Sequence, residues 1–117
     1  MTTGMKIMTT GMKIDDSNIY KDREYVYNKA IETYGDKKQI TVAIEEMSEL
    51  TKVLCKFLRQ DEPASDLWDN LKEEMADTQI MLEQLRLIFT GTITQFSIQK
   101  EMESKLIRLL KNLKEGD

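Results

Sequence analysis

The chain has 117 residues, of which 40% are hydrophobic and 32% charged, and its formal net charge is −4. The length suits one domain, and the composition is too apolar for a disordered chain and too charged for a membrane span. The basic residues are dispersed, which argues against a nucleic-acid-binding face. Because histidine is absent, imidazole bases and imidazole metal ligands are excluded. One proline and five glycines favour a mostly helical chain.

The N-terminus carries a short perfect duplication, in which residues 1–7 recur unchanged as residues 8–14. We interpret residues 1–14 as an expression scar or a second start at Met8, and we expect the domain to occupy residues 15–117. No apolar signal-peptide core is present. The single cysteine, Cys55, rules out an intramolecular disulfide. A reducing, cytoplasmic location is therefore expected.

Four amphipathic helices are predicted from apolar residues that recur every three or four positions. Gly35 is expected to terminate the first helix, and Asp66 is a good cap for the third. The segment from Thr92 to Phe96 has a second interpretation as a short extended piece, because β-branched residues cluster there. The predicted ranges are about 17–34, 38–60, 66–89 and 94–115.

The third predicted helix is apolar on almost every side, which is typical of a helix surrounded by others. A chain of this length has too few helices to cover it. We therefore predict an all-α fold, a four-helix bundle completed by oligomerisation into a homodimer or homotetramer.

Acidic residues interrupt the apolar stripes of the two central helices. At 100° per residue, Glu46 and Glu49 fall on one line of the second helix, bracketed by valines. Glu74 and Asp77 are placed similarly on the third. Two carboxylates in close contact repel by about 4 kcal/mol at an effective dielectric near 20, and a hard divalent cation removes that penalty. The pattern favours a site for Mg²⁺, with Mn²⁺ possible, slightly over a solvated acidic face.

The acidic runs Glu-Glu-Met-Ser-Glu-Leu at 45–50 and Lys-Glu-Glu-Met-Ala-Asp-Thr at 72–78 resemble the paired motif of the MazG-like all-α nucleoside triphosphate pyrophosphohydrolases. The resemblance spans about residues 17–115. It implies a Mg²⁺-dependent enzyme in which metal-activated water attacks the α-phosphorus, so that a nucleoside triphosphate gives the monophosphate and pyrophosphate. By the motif, the metal ligands would be Glu46, Glu49, Glu74 and Asp77.

The resemblance also frames the remaining candidates. Glu49 is the candidate base for the attacking water, while Glu45 and Glu73 match frequent acids of less certain role. The candidate substrate-binding residues are Lys52, Lys105, Arg108 and Trp68, although an ordinary solvated or packing role is the simpler interpretation of each. A di-iron carboxylate protein is excluded because its sites need histidine. The main rival is a non-catalytic helical oligomerisation module that keeps the fold.

Overall fold

The computed structural model describes residues 6–9 and 12–116. Its helices are α1 (Arg23–Tyr34), α2 (Asp36–Leu58), α3 (Ser65–Ile88) and α4 (Gln95–Lys114). The all-α prediction is confirmed for the domain. Among the described residues, no helix combines the length and the apolar character needed to span a membrane.

A short antiparallel hairpin precedes the helices, and the sequence analysis did not predict it. It consists of β1 (Lys6–Thr9) and β2 (Met12–Asp15). In its register, Ile7 lies opposite Ile14 and Met8 lies opposite Lys13. Backbone groups of these two strands therefore pair with each other.

The first helix begins six residues later than predicted, because a separate turn forms upstream of it. Residues 16–18 make a short 3-10 helix, and the Asp15 carboxylate caps it by accepting a 3.0 Å hydrogen bond from the Ser17 amide. At the other end, Gly35 has φ 91° and terminates α1 as predicted. Since L side chains rarely adopt that conformation, glycine allows α2 to begin at the very next residue.

Helices α2 and α3 form the antiparallel pair at the centre of the molecule. At one end, Gln39 Nε2 donates a buried 2.8 Å hydrogen bond to Gln84 Oε1. At the other end, the rings of Phe57 and Trp68 meet edge to face, with centroids 4.9 Å apart. Ala43, near the middle of α2, has no solvent exposure (0%). Among the residues whose burial the structure describes, the buried apolar side chains are Tyr27, Ala43, Leu67 and Met81.

Helix α4 stands apart from the other three. Thr94 caps it, with Ser97 completing a reciprocal capping box at 2.9 and 3.0 Å, so the helix begins where the sequence predicts. The extended alternative for Thr92–Phe96 is not adopted, because this segment is a turn that leads into the helix. Every residue of α4 is exposed. The four helices therefore do not close into a bundle within one chain.

Candidate metal centre

The antiparallel register of α2 and α3 brings their acidic residues together. Glu46 lies two helical turns after Gln39, and Asp77 lies two turns before Gln84. Gln39 and Gln84 are hydrogen-bonded across the two helices. Because the helices are antiparallel, Glu46 and Asp77, each two turns from that pair, therefore face each other. Glu74 lies one turn further along α3, on the same side as Asp77.

Three carboxylates meet in this region. One oxygen from each of Glu46, Glu74 and Asp77 lies within 4.8 Å of the others, and all three residues are half-buried. Spacing of this kind lets three oxygens converge on a single cation. Carboxylate oxygens are the ligands that Mg²⁺ and Mn²⁺ prefer.

The electrostatics of the cluster are unfavourable without a cation. Burial raises the pKa of the Glu46 carboxyl above its usual value, and the charges of Asp77 and Glu74 raise it further. Burial also raises the pKa of Glu74, followed by repulsion from Asp77 and Glu49. These three acids together with Glu49 therefore hold more negative charge than their surroundings stabilise.

One oxygen of the cluster has no partner. Glu74 Oε2 is shielded from solvent and makes no hydrogen bond. A buried carboxylate oxygen without a donor is costly, and a cation is the kind of partner that satisfies it. The donor set and this orphaned oxygen fit a hard divalent ion.

Thr78 is a polar neighbour of the cluster that the sequence analysis missed. Its Oγ1 is buried and also makes no hydrogen bond. The hydroxyls of Thr41, Ser48 and Thr51 donate to the carbonyl one turn earlier, at 2.8–2.9 Å. Thr78, which follows Asp77 in the sequence, makes no such bond in the structure. A single helical threonine gives no sequence signal for this, because the difference depends on the packing around it.

The structure places Glu49 at the edge of the cluster. It is exposed, and its Oε1 lies 3.4 Å from Lys52 Nζ in a surface ion pair. It is not among the three residues whose oxygens converge, although its charge contributes to the raised pKa of Glu46 and Glu74. The neighbouring Glu45 and Glu73 are exposed.

The other candidate substrate-binding residues lie on different parts of the chain. Lys105 and Arg108 are on α4 and exposed. Trp68 is 52% exposed and packs its ring edge against Phe57. Lys105 and Arg108 therefore lie on a different helix from the carboxylates, which are on α2 and α3.

A second polar cluster lies at the α1–α3 contact and was not predicted. Tyr27 donates a 2.7 Å hydrogen bond to Glu83 Oε1, which also accepts from Arg23 Nε at 3.1 Å. The hydrogen bond from Tyr27 is the main reason that the pKa of Glu83 is lowered. Burial, followed by this hydrogen bond, raises the pKa of Tyr27 to about 12. Arg86 approaches Glu24 at 3.5 Å across the same contact.

The chain was compared with protein families, curated proteins and solved structures. No family model matches it, and neither does any curated protein or solved structure.

Proposed function

We propose that the chain is a Mg²⁺-dependent nucleoside triphosphate pyrophosphohydrolase, and that Glu46, Glu74 and Asp77 hold the ion. The observation that carries the proposal is the orphaned oxygen of Glu74 within a cluster whose three oxygens lie within 4.8 Å. The triphosphate substrate follows from the resemblance of the two acidic motifs to MazG-like enzymes. Mn²⁺ is an alternative ion for the same donor set.

The bound ion would supply positive charge to the phosphates and lower the pKa of the attacking water. Glu49 is the proposed general base, since it lies beside the cluster but outside it and keeps a solvent-accessible carboxylate. It accepts a proton from a water molecule whose oxygen bonds to the α-phosphorus. The bond from that phosphorus to the bridging oxygen breaks, and pyrophosphate leaves. Lys52, one turn beyond Glu49, is the nearest proposed cation for the phosphates on this helix.

We propose further that the enzyme acts as a homodimer or homotetramer in the cytoplasm. The support for assembly is the exposed apolar surface of α4 and of the outer side of α3. The same surface favours the second candidate function, a non-catalytic oligomerisation module.

A panel of deoxy- and ribonucleoside triphosphates with Mg²⁺ tests the proposal, with pyrophosphate and orthophosphate measured separately. We expect pyrophosphate and a nucleoside monophosphate in equal amounts from at least one nucleotide, and no release when Mg²⁺ is chelated. Orthophosphate as the first product would contradict attack at the α-phosphorus. No release from any nucleotide would favour the oligomerisation module.

A further inference from the structure

Helix α4 presents an apolar stripe that no described residue covers. Its members share one side of the helix at three- and four-residue spacing, and each is at least 36% exposed. They are Ile98, Met102, Leu106, Leu109, Leu110 and Leu113. Lysine, arginine and serine occupy the opposite side. Such a stripe on a helix of 20 residues is typical of a helix that packs against another surface.

An apolar groove of matching length runs along the outer side of α3. One part, of about 410 Å³, lies between α1 and α3 and includes Val26, Ile80 and Glu83. It continues into a second hollow of about 400 Å³ that reaches Trp68, the two parts sharing Ala76 and Gln79. From Trp68 to Gln84 the groove spans about 24 Å of helix, and the stripe of α4 spans about 23 Å at 1.5 Å per residue.

The exposed area is larger than that expected of a compact monomer of this mass. A chain of 13.7 kDa is expected to expose about 6,600 Å², and this one exposes 9429 Å². The excess of roughly 2,800 Å² is more than the ~800 Å² that each partner buries in a standard interface. The radius of gyration of 18.1 Å likewise exceeds the ~13 Å expected for this length.

The net charges of α4 and of the rest of the helical domain are opposite in sign. Helix α4 carries five basic and two acidic residues. Residues 15–94 carry ten basic and seventeen acidic residues. The basic α4 is therefore attracted to the acidic remainder of the domain. In a pair of chains, α4 of each copy can contact the acidic part of the other.

A hydrogen-bonded turn leads into α4, whose residues are all exposed. The Ile93 amide donates to the Phe89 carbonyl at 2.7 Å, and the Thr94–Ser97 capping box follows at once. We propose that α4 of one chain docks, by its apolar stripe, into the α1–α3 groove of a second copy, and that the second copy reciprocates. This inference specifies the surface of the oligomer proposed above and is independent of turnover.

The test uses the full chain and needs no nucleotide or metal. Sedimentation of the wild type is expected to give at least twice the chain mass of 13.7 kDa. Leu106→Glu, within the stripe, should raise the dissociation constant at least about ten-fold. Ser104→Glu adds the same charge on the opposite side of α4 and should leave it unchanged. Far-UV circular dichroism checks that both variants keep their helices.

Mixing two defective chains distinguishes this surface from any other. The variant Ile80→Lys, altered in the groove, should be monomeric when it is the only chain present, and so should Leu106→Glu. An equimolar mixture should regain dimer, because the heterodimer contains one unaltered stripe on one unaltered groove. Trp68, the only tryptophan, lies at the groove's end, so its emission should shift to shorter wavelength on association.

Four results would overturn the proposal. They are a monomeric wild type, as when α4 folds back on its own chain; an assembly that Leu106→Glu leaves intact; a mixture that stays monomeric; and association without a change in Trp68 emission. None of them bears on whether the carboxylate cluster binds metal or cleaves nucleotides, so the two proposals fail separately.

Discussion

Helix α3 carries two glutamates in opposite electrostatic situations. Glu83 accepts hydrogen bonds from Tyr27 and Arg23, and its pKa is lowered. Glu74 lies two and a half turns earlier, among other acids, with one oxygen unsatisfied and its pKa raised. The first carboxylate is neutralised by groups of its own chain, whereas one oxygen of the second has no hydrogen-bond partner among the described residues. A structural acid and a candidate ligand-binding acid are thus distinguished by their partners, not by their burial.

The largest expected effect concerns the acids without partners. Glu46→Gln or Asp77→Asn keeps the shape but removes a charged ligand, so turnover should fall at least about 100-fold while the helix content is unchanged. Glu45→Gln, next along α2 and exposed, is the matched control and should retain turnover. Steady-state pyrophosphate release measures the effect. Wild-type rates in both Glu46→Gln and Asp77→Asn would place those acids outside the site.

The next effect is on thermal stability and tests Glu74 against its exposed neighbour Glu73. Mg²⁺ at about 100 times its dissociation constant should stabilise the fold by ~2.7 kcal/mol, which corresponds to a rise in Tm of roughly 10 °C for a chain of this size. Glu74→Gln should abolish most of the rise, and the exposed Glu73→Gln should not. Thermal melts with and without the ion measure this, and an equal rise in all three proteins would contradict a role for Glu74.

The pH dependence of the metal-free melt follows from the same pKa values. Because the pKa of Glu74 is raised on folding, the folded state binds more protons than the unfolded state just above the usual value of 4.5. The contribution of Glu74 therefore favours folding at low pH and is lost as the pH rises through its folded-state pKa. Glu74→Gln should remove that loss and be more stable than the wild type at neutral pH without Mg²⁺. A less stable variant would contradict the repulsion.

The smallest effect tests the acid that already has partners. Tyr27→Phe removes one hydrogen bond to the partly exposed Glu83, and should cost about 1 kcal/mol with no change in the response to Mg²⁺. Tyr34→Phe, at an exposed position, is the control. Titration by ultraviolet absorbance should find one of the four tyrosines ionising at about 12, and that step should be missing in Tyr27→Phe. Its persistence would assign the raised pKa to another tyrosine.

Local patterns in the sequence predicted the helices well. The apolar spacing of α2 and the glycine at position 35 each act over a few residues, so they can be recognised without the fold. The predicted cap at Asp66 was wrong, because α3 begins at Ser65 and Ala64 is its N-cap. The first turn was less predictable, since Asp15 caps a separate 3-10 turn and α1 is delayed to Arg23.

The arrangement of the site was predicted only in part, because it depends on how two helices face each other. Motif spacing pairs Glu46 with Glu49, but the register of α2 on α3 brings Glu46 to Glu74 and Asp77 and leaves Glu49 at the edge. The bond between Tyr27 and Glu83 joins residues 56 positions apart, so no local pattern contains it. The stripe of α4 likewise indicates that it packs, without indicating against what.

Ala43, with 0% exposure, lies one turn before Glu46 on α2. Its methyl group is fully covered, so a bulkier residue there would have to displace the elements packed against α2. Since Mg²⁺ binds oxygens at about 2.0–2.1 Å and Ca²⁺ at about 2.3–2.6 Å, a difference of a few tenths of an ångström separates the two ions. The preference for Mg²⁺ or Ca²⁺ would then depend partly on Ala43, which does not touch the ion, because its size affects how closely the helices pack.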